Sequence, residues 1–513
     1  MKFKILLFIF FIVSNINSQN FTINSGERFK PEMNSEFSRY IDTDTDGIYI
    51  ERTSLKGSAI THLLQKIDSK TLKTLYNKDL ALDGNEKIIK SFLQGNKIIV
   101  VSAKYEKKES KKKILLREYL PSNGNINSSI KELASLNCES KRDDNIEYYI
   151  FFSPDELKMA LVTLINNNGT TKANYDVYET NTFKKLWNKN TSYLLQRKIT
   201  NYVKSSFYEK GHETLTKEKY KLTNEGTILY SFAYISDIKE MTGALAYQYV
   251  TKESDNADVK TIALDKLDVQ NCNIEIIDDR VMICGTYTDL LNKQEKKDSK
   301  EISAGIYSIL LDPKTNSIVY KNNNYFTDNI KKKLDYSDGS GKKLANKKFI
   351  SENIFIFHNA IYLIESHITY SGSNIILEHE RELLISKFNK NGILEWMQII
   401  PKYTTNEMNG YNYITQNDKI HFFYSEHPDN LKLGTVETYD PTRYNYIYHF
   451  NKSVLACTTL TEDGILSRKE IPTDNNWFYK PTSEKNIITK SDSTLIIRML
   501  NNAEERYDKI IIN

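Results

Sequence analysis

The most specific arrangement of potentially reactive side chains in the sequence is a run of alternating aspartates. Asp42, Asp44 and Asp46 lead directly into Gly47, and carboxylates at every second position with a glycine sixth can surround a calcium ion. The twelfth position of the motif is Thr53, where a calcium loop of the EF-hand type requires a bidentate glutamate. The segment also runs directly into strand-forming residues. The sequence therefore favours a hairpin turn and leaves calcium binding open as the alternative.

Two of the four cysteines, Cys272 and Cys284, flank a predicted hairpin. A loop over residues 277–279 would set them opposite each other, so a cross-strand disulfide is one expectation in an oxidising compartment and two buried free thiols are the other. Cys138 and Cys457 are interpreted as isolated core or loop residues. Four widely spaced cysteines exclude a dense disulfide framework and a four-thiolate zinc site.

Familiar catalytic signatures do not occur in the sequence. His212-Glu213 and His379-Glu380 do not continue into the HExxH pattern of zinc hydrolases, and Ser340 lacks the GxSxG spacing of a nucleophile elbow. No phosphate-binding glycine motif follows a predicted strand. Acid pairs such as Asp143-Asp144 are compatible with glycoside hydrolysis, a reaction that depends on the separation of two carboxylates in space. We therefore assign no catalytic residue, no cofactor and no metal site from the sequence.

The charge balance argues against nucleic-acid binding. The 513 residues contain 70 Lys and Arg against 66 Asp and Glu, a net charge of +4, and removal of Lys2 and Lys4 with the leader described below lowers it to +2. Proteins that bind polyanions are usually strongly basic. Lysine-rich runs at 107–113, 331–333 and 342–348 are interpreted as solvated loops.

The first twenty residues have the pattern of an export signal. Lys2 and Lys4 form a positive region, nine apolar residues occupy positions 5–13, and small or polar residues lead to Ser18. Nine residues are too few to span a bilayer, which needs about twenty, and no cysteine follows the apolar run to accept a lipid. The sequence predicts a signal peptide over residues 1–18 and a mature protein over 19–513. We expect that protein to be secreted or located in the periplasm or at the cell surface, with no transmembrane segment.

The remaining chain is a series of short strands separated by turns. Apolar or alternating runs rich in Ile, Val, Tyr, Phe and Thr recur, and eight of them follow a turn that contains Asp, Asn or Gly. These turns lie at positions 47, 96, 156, 226, 279, 360, 418 and 492. A second kind of turn, with Asp or Asn between two strands, follows in several units, and the aromatic residues Trp187 and Trp396 after it are interpreted as core residues. Two hairpins make a four-stranded unit.

Repeated four-stranded units of this size predict an all-β protein with a β-propeller fold of about eight (seven to eight) blades, because only neighbouring blades can cover the two apolar faces of each small sheet. The last unit is too short for four strands. The N-terminal segment 19–39, around Phe21 to Phe29, is therefore predicted to supply the missing strand and close the ring. Residues 328–348 are predicted to form a long exposed loop. Two stacked β-sandwich domains are the alternative.

Three segments resemble a known group of proteins. Residues 384–401 (LISKFNKNGILEWMQIIP), 419–431 (KIHFFYSEHPDNL) and 461–471 (TEDGILSRKEI) are similar to parts of secreted, propeller-like proteins of Bacteroidetes whose function is uncharacterised. The resemblance runs over roughly residues 220–513, and Ser153-Pro154-Asp155 looks like the blade turn of TolB-type propellers. The resemblance implies export and a repeat architecture. It implies no activity and no functional residues.

These features together favour an exported, non-catalytic binding or scaffold protein that contacts a protein or glycan through its blade loops, since connections on a rigid scaffold are where sites usually lie. No nucleic-acid partner is expected. The alternative is a propeller enzyme, a hydrolase or lyase that acts on extracellular glycans. A third possibility is an adhesin.

Overall fold

The structure is a computed structural model of the chain. It describes residues 21–31, 35–56, 59–83, 86–138, 146–167, 170–193, 220–237, 242–253, 258–263, 267–269, 271–289, 303–313, 315, 317–334, 348–371, 377–405, 409–433, 443–445, 447, 452–474, 477–480, 494–501 and 504–513.

The chain has an all-β, β-propeller fold built from eight antiparallel sheets, which we call blades 1 to 8. Blade 1 contains β2 (Ser35–Thr43), β3 (Gly47–Lys56), β4 (Ala59–Asp68) and β5 (Thr74–Asp79). Blade 2 contains β6 (Glu86–Gln94), β7 (Lys97–Glu106), β8 (Lys111–Tyr119) and β9 (Lys131–Asn137). Blade 3 contains β10 (Ile146–Phe152), β11 (Lys158–Asn167), β12 (Thr170–Glu179) and β13 (Lys185–Tyr193). Blade 4 contains β14 (Tyr220–Leu222), β15 (Ile228–Asp237), β16 (Thr242–Val250) and β17 (Asp258–Ala263).

The later blades follow the same order along the chain. In blade 5, β18 (Leu267–Val269) and β19 (Asn273–Ile277) both pair with β20 (Arg280–Asp289), followed by β21 (Gly305–Asp312) and β22 (Ser317–Tyr325). Blade 6 contains β23 (Lys348–Phe357), β24 (Ala360–Ser371), β25 (Leu377–Asn389) and β26 (Leu394–Thr405). Blade 7 contains β27 (Asn412–Gln416), β28 (Lys419–Glu426), β29 (Val454–Thr461) and β30 (Leu466–Ile471). Blade 8 contains β31 (Phe478–Tyr479), β32 (Thr494–Asn501), β33 (Glu504–Ile512) and the N-terminal β1 (Phe21–Ser25).

The blades belong to two compact units. Unit 1 contains the described parts of Met1–Leu80, Glu407–Leu431 and Ile447–Asn513, with blades 1, 7 and 8. Unit 2 contains the described parts of Ala81–Asn406 and Lys432–Tyr446, with blades 2 to 6. In each blade we call the end that carries the turn between the first and second strands end A, and the opposite end is end B. The turn between the third and fourth strands also lies at end A, because the strands are antiparallel.

The predicted turns lie between the first and second strands of the blades. Gly95, Asp279 and Asn417 have φ angles of 56°, 62° and 51°, in the left-handed region that tight hairpins require and that Gly, Asn and Asp tolerate. Seven of the eight predicted turns are confirmed at this place in blades 1 to 7. The eighth, at residues 491 and 492, lies outside the described residues. The second predicted turn type joins the third and fourth strands, for example in blades 1, 3, 5, 6 and 7.

The hydrophobic cores lie between neighbouring blades, as the alternation of residues along a strand requires. On β11, Met159 and Leu161 pack against blade 2, whereas Ala160 and Val162 pack against blade 4. Trp187, at the start of β13, packs into the second of these cores, which confirms its assignment to core packing. Cores on both faces of one sheet rule out the alternative of two stacked β-sandwiches.

The N-terminal strand completes blade 8 within unit 1. β1 pairs with β33, with Phe21 opposite Ile512, and the side chains of Phe21 and Ile23 pack on the core between blades 7 and 8. Farther along, the backbones of Phe29 and Glu505 exchange two N–H···O hydrogen bonds of 2.9 Å each. The prediction that this segment supplies the missing strand is confirmed.

Residues 328–348 differ in part from the predicted exposed loop. Asp328–Leu334 form a short helix, α1, whose Ile330 and Leu334 are buried in the core between blades 5 and 6. An apolar pair four residues apart lies on one face of a helix and can be buried together. The prediction is therefore wrong for residues 328–334, and residues 335–347 lie outside the described residues. A 3-10 turn, Asn430–Lys432, follows β28.

Candidate functional site

Titratable side chains converge at end B of blade 6, on the face that packs against blade 5. His367 of β24 lies opposite Glu382 of β25, and its Nδ1 is 2.5 Å from Oε2 of the carboxylate. The hydroxyl of Tyr403, on β26, donates to the other oxygen of Glu382 over 3.3 Å. All three side chains are buried. A carboxylate held in this way orients the imidazole ring.

Glu365 extends this cluster towards blade 5. It lies two residues before His367, on the same face of β24, at a separation of about 6.6 Å along the strand. Asn271 and Thr286 of blade 5 face it and stabilise its carboxylate in part, but burial outweighs them and raises the pKa of Glu365 to about 8. The carboxyl group is therefore largely protonated at neutral pH.

Asn271 links the two blades around this carboxyl group. Its side-chain amide donates to Thr286 Oγ1 over 2.7 Å and to the backbone oxygen of Phe349, in blade 6, over 3.2 Å. Its Oδ1 accepts from the backbone N–H of Thr286 over 2.9 Å. A side chain at Gly285 would collide with Asn271, since a Cβ there would lie 2.2 Å from Oδ1. Glycine at this position therefore permits the close approach of the loop.

A second polar group lies at end B of the same blade, around Glu380. Ser366 donates to its Oε1 over 2.8 Å, and the ammonium group of Lys402 donates to Oε2. Lys402 also donates to Thr404 Oγ1 over 3.0 Å. Each charged group in this set therefore has a partner of opposite charge or a hydrogen-bond partner, as burial requires.

The chemistry available to the His367 cluster is proton exchange. It combines an oriented imidazole, a phenol and a carboxylic acid that keeps its proton near neutral pH, which are the components of general acid–base catalysis. Glu365, His367 and Glu382 each have 0% exposed surface. In this conformation the groups act on one another and support the junction of blades 5 and 6.

The histidine and serine positions considered from the sequence have different outcomes. His379 lies in β25 and is buried, and burial, with a smaller contribution from Arg381, lowers its pKa to about 4. His212, Ser340 and the pair Asp143-Asp144 lie outside the described residues.

The aspartate motif forms the predicted hairpin turn between β2 and β3. Asp44 Oδ1 accepts from the backbone N–H groups of Asp46 and Gly47 over 2.8 and 2.7 Å, and Oδ2 accepts from the hydroxyl of Tyr49 over 2.8 Å. Asp42 Oδ1 accepts from the next backbone N–H. The Asp44 carboxylate thus closes its own turn, a common role of aspartate.

All four cysteines are free thiols, so the disulfide considered for Cys272 and Cys284 does not form. Cys284 is paired with Asn273 across the hairpin, and Cys272 is therefore one residue out of register with it. Cys284 packs between blades 5 and 6, whereas Cys272 packs between blades 4 and 5. Their side chains lie on opposite faces of the sheet. Cys457 is buried in the core between blades 7 and 8, as expected.

The residues of the His367 cluster were not identified from the sequence. The available signal was weak: a Glu and a His at alternate positions inside an apolar strand, IYLIESHI over residues 361–368. Among the described residues, no helix is long and apolar enough to cross a membrane.

The structure of this chain is similar to those of known propeller proteins, at very low sequence identity. No protein-family model matches the chain, and no curated protein sequence matches it. The β-propeller domain of the trilobed protease from Pyrococcus furiosus is similar with a TM-score of 0.36 and 9% identity, over 86% of this chain and 96% of that one. A polysaccharide lyase, an ulvan lyase, is similar with a TM-score of 0.36 and 9% identity, over 81% and 90%.

Prolyl oligopeptidase B from Galerina marginata is similar with a TM-score of 0.37 and 9% identity, over 91% of this chain and 55% of that one. At these TM-scores and sequence identities, the similarities give no information about the activity of this chain.

Proposed function

We propose that this protein is an exported β-propeller that serves as a non-catalytic binding or scaffold module and contacts a protein or glycan through its blade loops. The proposal rests on one observation: Glu365, His367 and Glu382, which the fold brings together at end B of blade 6, are all buried. Buried, hydrogen-bonded groups of this kind stabilise a fold, whereas the loops that connect the strands of a rigid scaffold are where partners usually bind.

The proposal includes export of the protein from the cytoplasm and an origin in Bacteroidetes. Residues 1–18 act as the export signal, and the mature chain begins at Gln19. The similarity of residues 220–513 to secreted propeller-like proteins of Bacteroidetes supports the same destination.

The test is affinity capture from a cell-envelope extract with the mature protein, combined with a panel of soluble glycans. We expect a saturable partner, protein or glycan, that is recovered unchanged. Release of oligosaccharides or unsaturated sugars from any glycan in the panel would overturn the non-catalytic role.

The alternative, an enzyme that acts on extracellular glycans, is favoured by a different observation. The contacts of His367 with Glu382 and of Glu382 with Tyr403 supply a base, its orienting carboxylate and a phenol. If a glycan is cleaved, His367→Ala should abolish cleavage while His379→Ala, in the same blade, retains it. Equal activity of both variants would exclude the cluster as the reacting group.

A further inference from the structure

The first strand of blade 3 is rich in aromatic residues. β10 has the sequence IEYYIFF, in which four of the seven residues are Tyr or Phe. All four are half-buried, whereas Ile146 and Ile150 of the same strand are buried. A Phe that only fills a core is usually buried, so the partial exposure of four aromatic side chains in one short strand indicates a contact surface.

The aromatic residues of β10 contact the neighbouring blades on both sides. Toward blade 4, the ring of Phe151 stacks on that of Tyr220 with a centroid distance of 5.5 Å, and the ring of Tyr149 lies 5.0 Å from the same ring. Toward blade 2, the ring of Phe152 packs edge-on against Phe92 at 4.8 Å. The first strands of blades 2, 3 and 4 therefore share one set of aromatic contacts, all of it within unit 2.

The rings on the blade 4 side are supported from behind. Tyr220 is buried and stacks in turn on Tyr230, with a centroid distance of 4.3 Å and an angle of 12° between the rings. Tyr149 and Phe151 thus pack on a buried pair of rings. A surface whose side chains are already fixed binds a ligand at a lower cost in conformational entropy.

The backbone edge of β10 is poorly suited to the addition of a peptide strand. Among the described residues, β11 is the one strand that pairs with β10. The ammonium group of Lys90, from blade 2, lies 5.4 Å from the centre of the Phe152 ring and donates to the backbone oxygen of Ile150 over 2.8 Å. A lysine at an edge is a common protection against strand addition. The side chains of β10, and not its backbone, are therefore the contact surface.

Glu147 supplies a polar group beside the rings. It is exposed and lies two residues before Tyr149, on the same face of the strand. One of its carboxylate oxygens accepts from the hydroxyl of Tyr149 over 2.5 Å, and a carboxylate can accept several hydrogen bonds at once. Aromatic faces next to such an acceptor fit a pyranose ring, which has apolar C–H faces and hydroxyl donors at its rim.

The charges on these three strands do not favour a charged polymer. Lys221 of β14 donates to Glu275 of blade 5 over 3.0 Å, and Lys90 is engaged with β10. The exposed charges, Lys87 and Glu147, are of opposite sign. A surface without an excess of one charge does not concentrate polyanions or polycations.

We propose that the first strands of blades 2, 3 and 4 form a binding site for a neutral glycan. Tyr149 and Phe151 stack on a sugar ring, and Glu147 accepts hydrogen bonds from its hydroxyl groups. The inference rests on the proposed binding role, and it adds a strand surface to the blade loops considered there.

The test is isothermal titration calorimetry of the mature protein with cellohexaose, mannohexaose, xylohexaose and maltohexaose, and with a hexamer of galacturonic acid for comparison. We expect saturable binding of at least one neutral hexaose. The double variant Tyr149→Leu and Phe151→Leu keeps apolar side chains against Tyr220 but removes the rings, so its dissociation constant should be at least about tenfold higher. Glu147→Gln should raise the dissociation constant by about threefold.

The matched control is the double variant Phe355→Leu and Phe357→Leu. These half-buried rings lie on the first strand of blade 6 and contact Tyr362 of their own blade, at centroid distances of 5.5 and 6.2 Å. The geometry is similar to that around Tyr220, so the control should lose the same kind of packing and still bind the hexaose as the unmodified protein does. Far-ultraviolet circular dichroism of each variant verifies that it is folded.

Three results would overturn the site: no binding of any neutral hexaose, equal weakening by the two double variants, or binding of the galacturonic acid hexamer alone. If no hexaose binds but the mature protein captures a protein from the envelope extract, the glycan site is wrong and the scaffold role stands. Cleavage of a bound hexaose would have the opposite meaning, since it would overturn the non-catalytic role and support the site.

Discussion

At the scale of single residues, the protein buries charged groups in two different electrostatic settings. Glu505 lies between two arginines: Arg52 binds both of its oxygens at 3.0 Å each, and Arg498 Nη2 lies 2.5 Å from Oε1. Among the described residues, the groups that stabilise the charge of Glu365 are the neutral Asn271 and Thr286. The first carboxyl group is therefore held ionised and the second is held protonated, so their substitution should have opposite effects on stability.

Replacing Glu365 by glutamine should remove a pH dependence of stability. Its pKa rises from the ordinary 4.5 to about 8 on folding, so the folded state retains a proton that the unfolded chain has released. The contribution of Glu365 to the free energy of unfolding should therefore fall as the pH rises from about 4.5 to about 8, by up to about 1.4 kcal/mol per pH unit. Urea unfolding at pH 5, 6.5 and 8 measures this slope.

The slope measured for Glu365→Gln should lack this contribution, and the variant should be more stable than the unmodified protein at pH 8. The control is Glu470→Gln, an exposed residue of β30, which should keep the slope of the unmodified protein. Identical slopes for the two variants would show that Glu365 is not the group responsible.

Replacing Glu505 by glutamine should strongly destabilise unit 1. Burial alone would raise the pKa of Glu505, but Arg52 and Arg498 outweigh it and hold the pKa below its ordinary value. Its contribution to stability is therefore present above pH 4.5 and is lost as the pH falls through the lowered pKa. Removing one partner of a buried ion pair costs about 3–5 kcal/mol.

Urea unfolding of Glu505→Gln at pH 7 measures that loss. Glu504→Gln changes the neighbouring, partly exposed carboxylate and is the control, with an expected change of less than about 0.5 kcal/mol. A loss of the same size in both variants would contradict the role given to the arginine pairs.

At the scale of elements, β1 packs on the hydrophobic core through one face, and on the other face Thr22 Oγ1 accepts from the side-chain amide of Asn513 over 2.8 Å. Phe21 and Ile23 contact the core between blades 7 and 8, while Thr22 and Asn24 point to solvent. The ring of Phe21 also makes edge contacts with His421 and Phe423 of blade 7, at centroid distances of 6.2 and 5.9 Å. The strand thus joins blade 8 to blade 7 as well as pairing with β33.

The double variant Phe21→Ala and Ile23→Ala should therefore release the strand. We expect a loss of about 2–4 kcal/mol in the free energy of unfolding, because the substitutions remove large apolar contacts, and increased self-association, because the edge of β33 becomes available for pairing. Light scattering and urea unfolding measure the two effects.

The matched variant Thr22→Ala and Asn24→Ala changes the exposed face of the same strand and should alter neither property by much. Addition of a synthetic peptide covering residues 19–31 should reduce the association of the first variant. Equal behaviour of the two double variants would show that β1 contributes little to closing the blade.

At the scale of the whole molecule, the two ends of blades 5 and 6 carry different kinds of residue. In blades 5 and 6, end B contains the buried titratable cluster, whereas end A presents exposed aliphatic residues such as Ile318 and Ile393.

Export is a prediction about the chain that includes residues 1–18. Expressed with residues 1–18 in a Gram-negative host, the protein should be recovered outside the cytoplasm with Gln19 as its first residue, as intact mass measurement would show. Phe8→Asp, in the centre of the apolar run, should leave it unprocessed in the cytoplasm. Recovery of the unmodified protein in the cytoplasm with residues 1–18 still attached would contradict an export signal.

The sequence alone was enough to predict the repeating strands, the turns between the first and second strands and the completion of blade 8 by residues near Phe21. These features depend on local chemistry: alternation with period two, residues that tolerate a positive φ, and a count of strands that leaves the last unit incomplete. Which polar residues contact one another became visible only in the folded structure. Arg52 and Glu505 are 453 positions apart, and Asn271 reaches Phe349 from another blade. Cys272 and Cys284 were separated by a shift of one residue in register, which moves a side chain to the opposite face of a sheet. Such pairings depend on strand register and on which faces of neighbouring blades pack together, and neither is encoded in the local pattern of the chain.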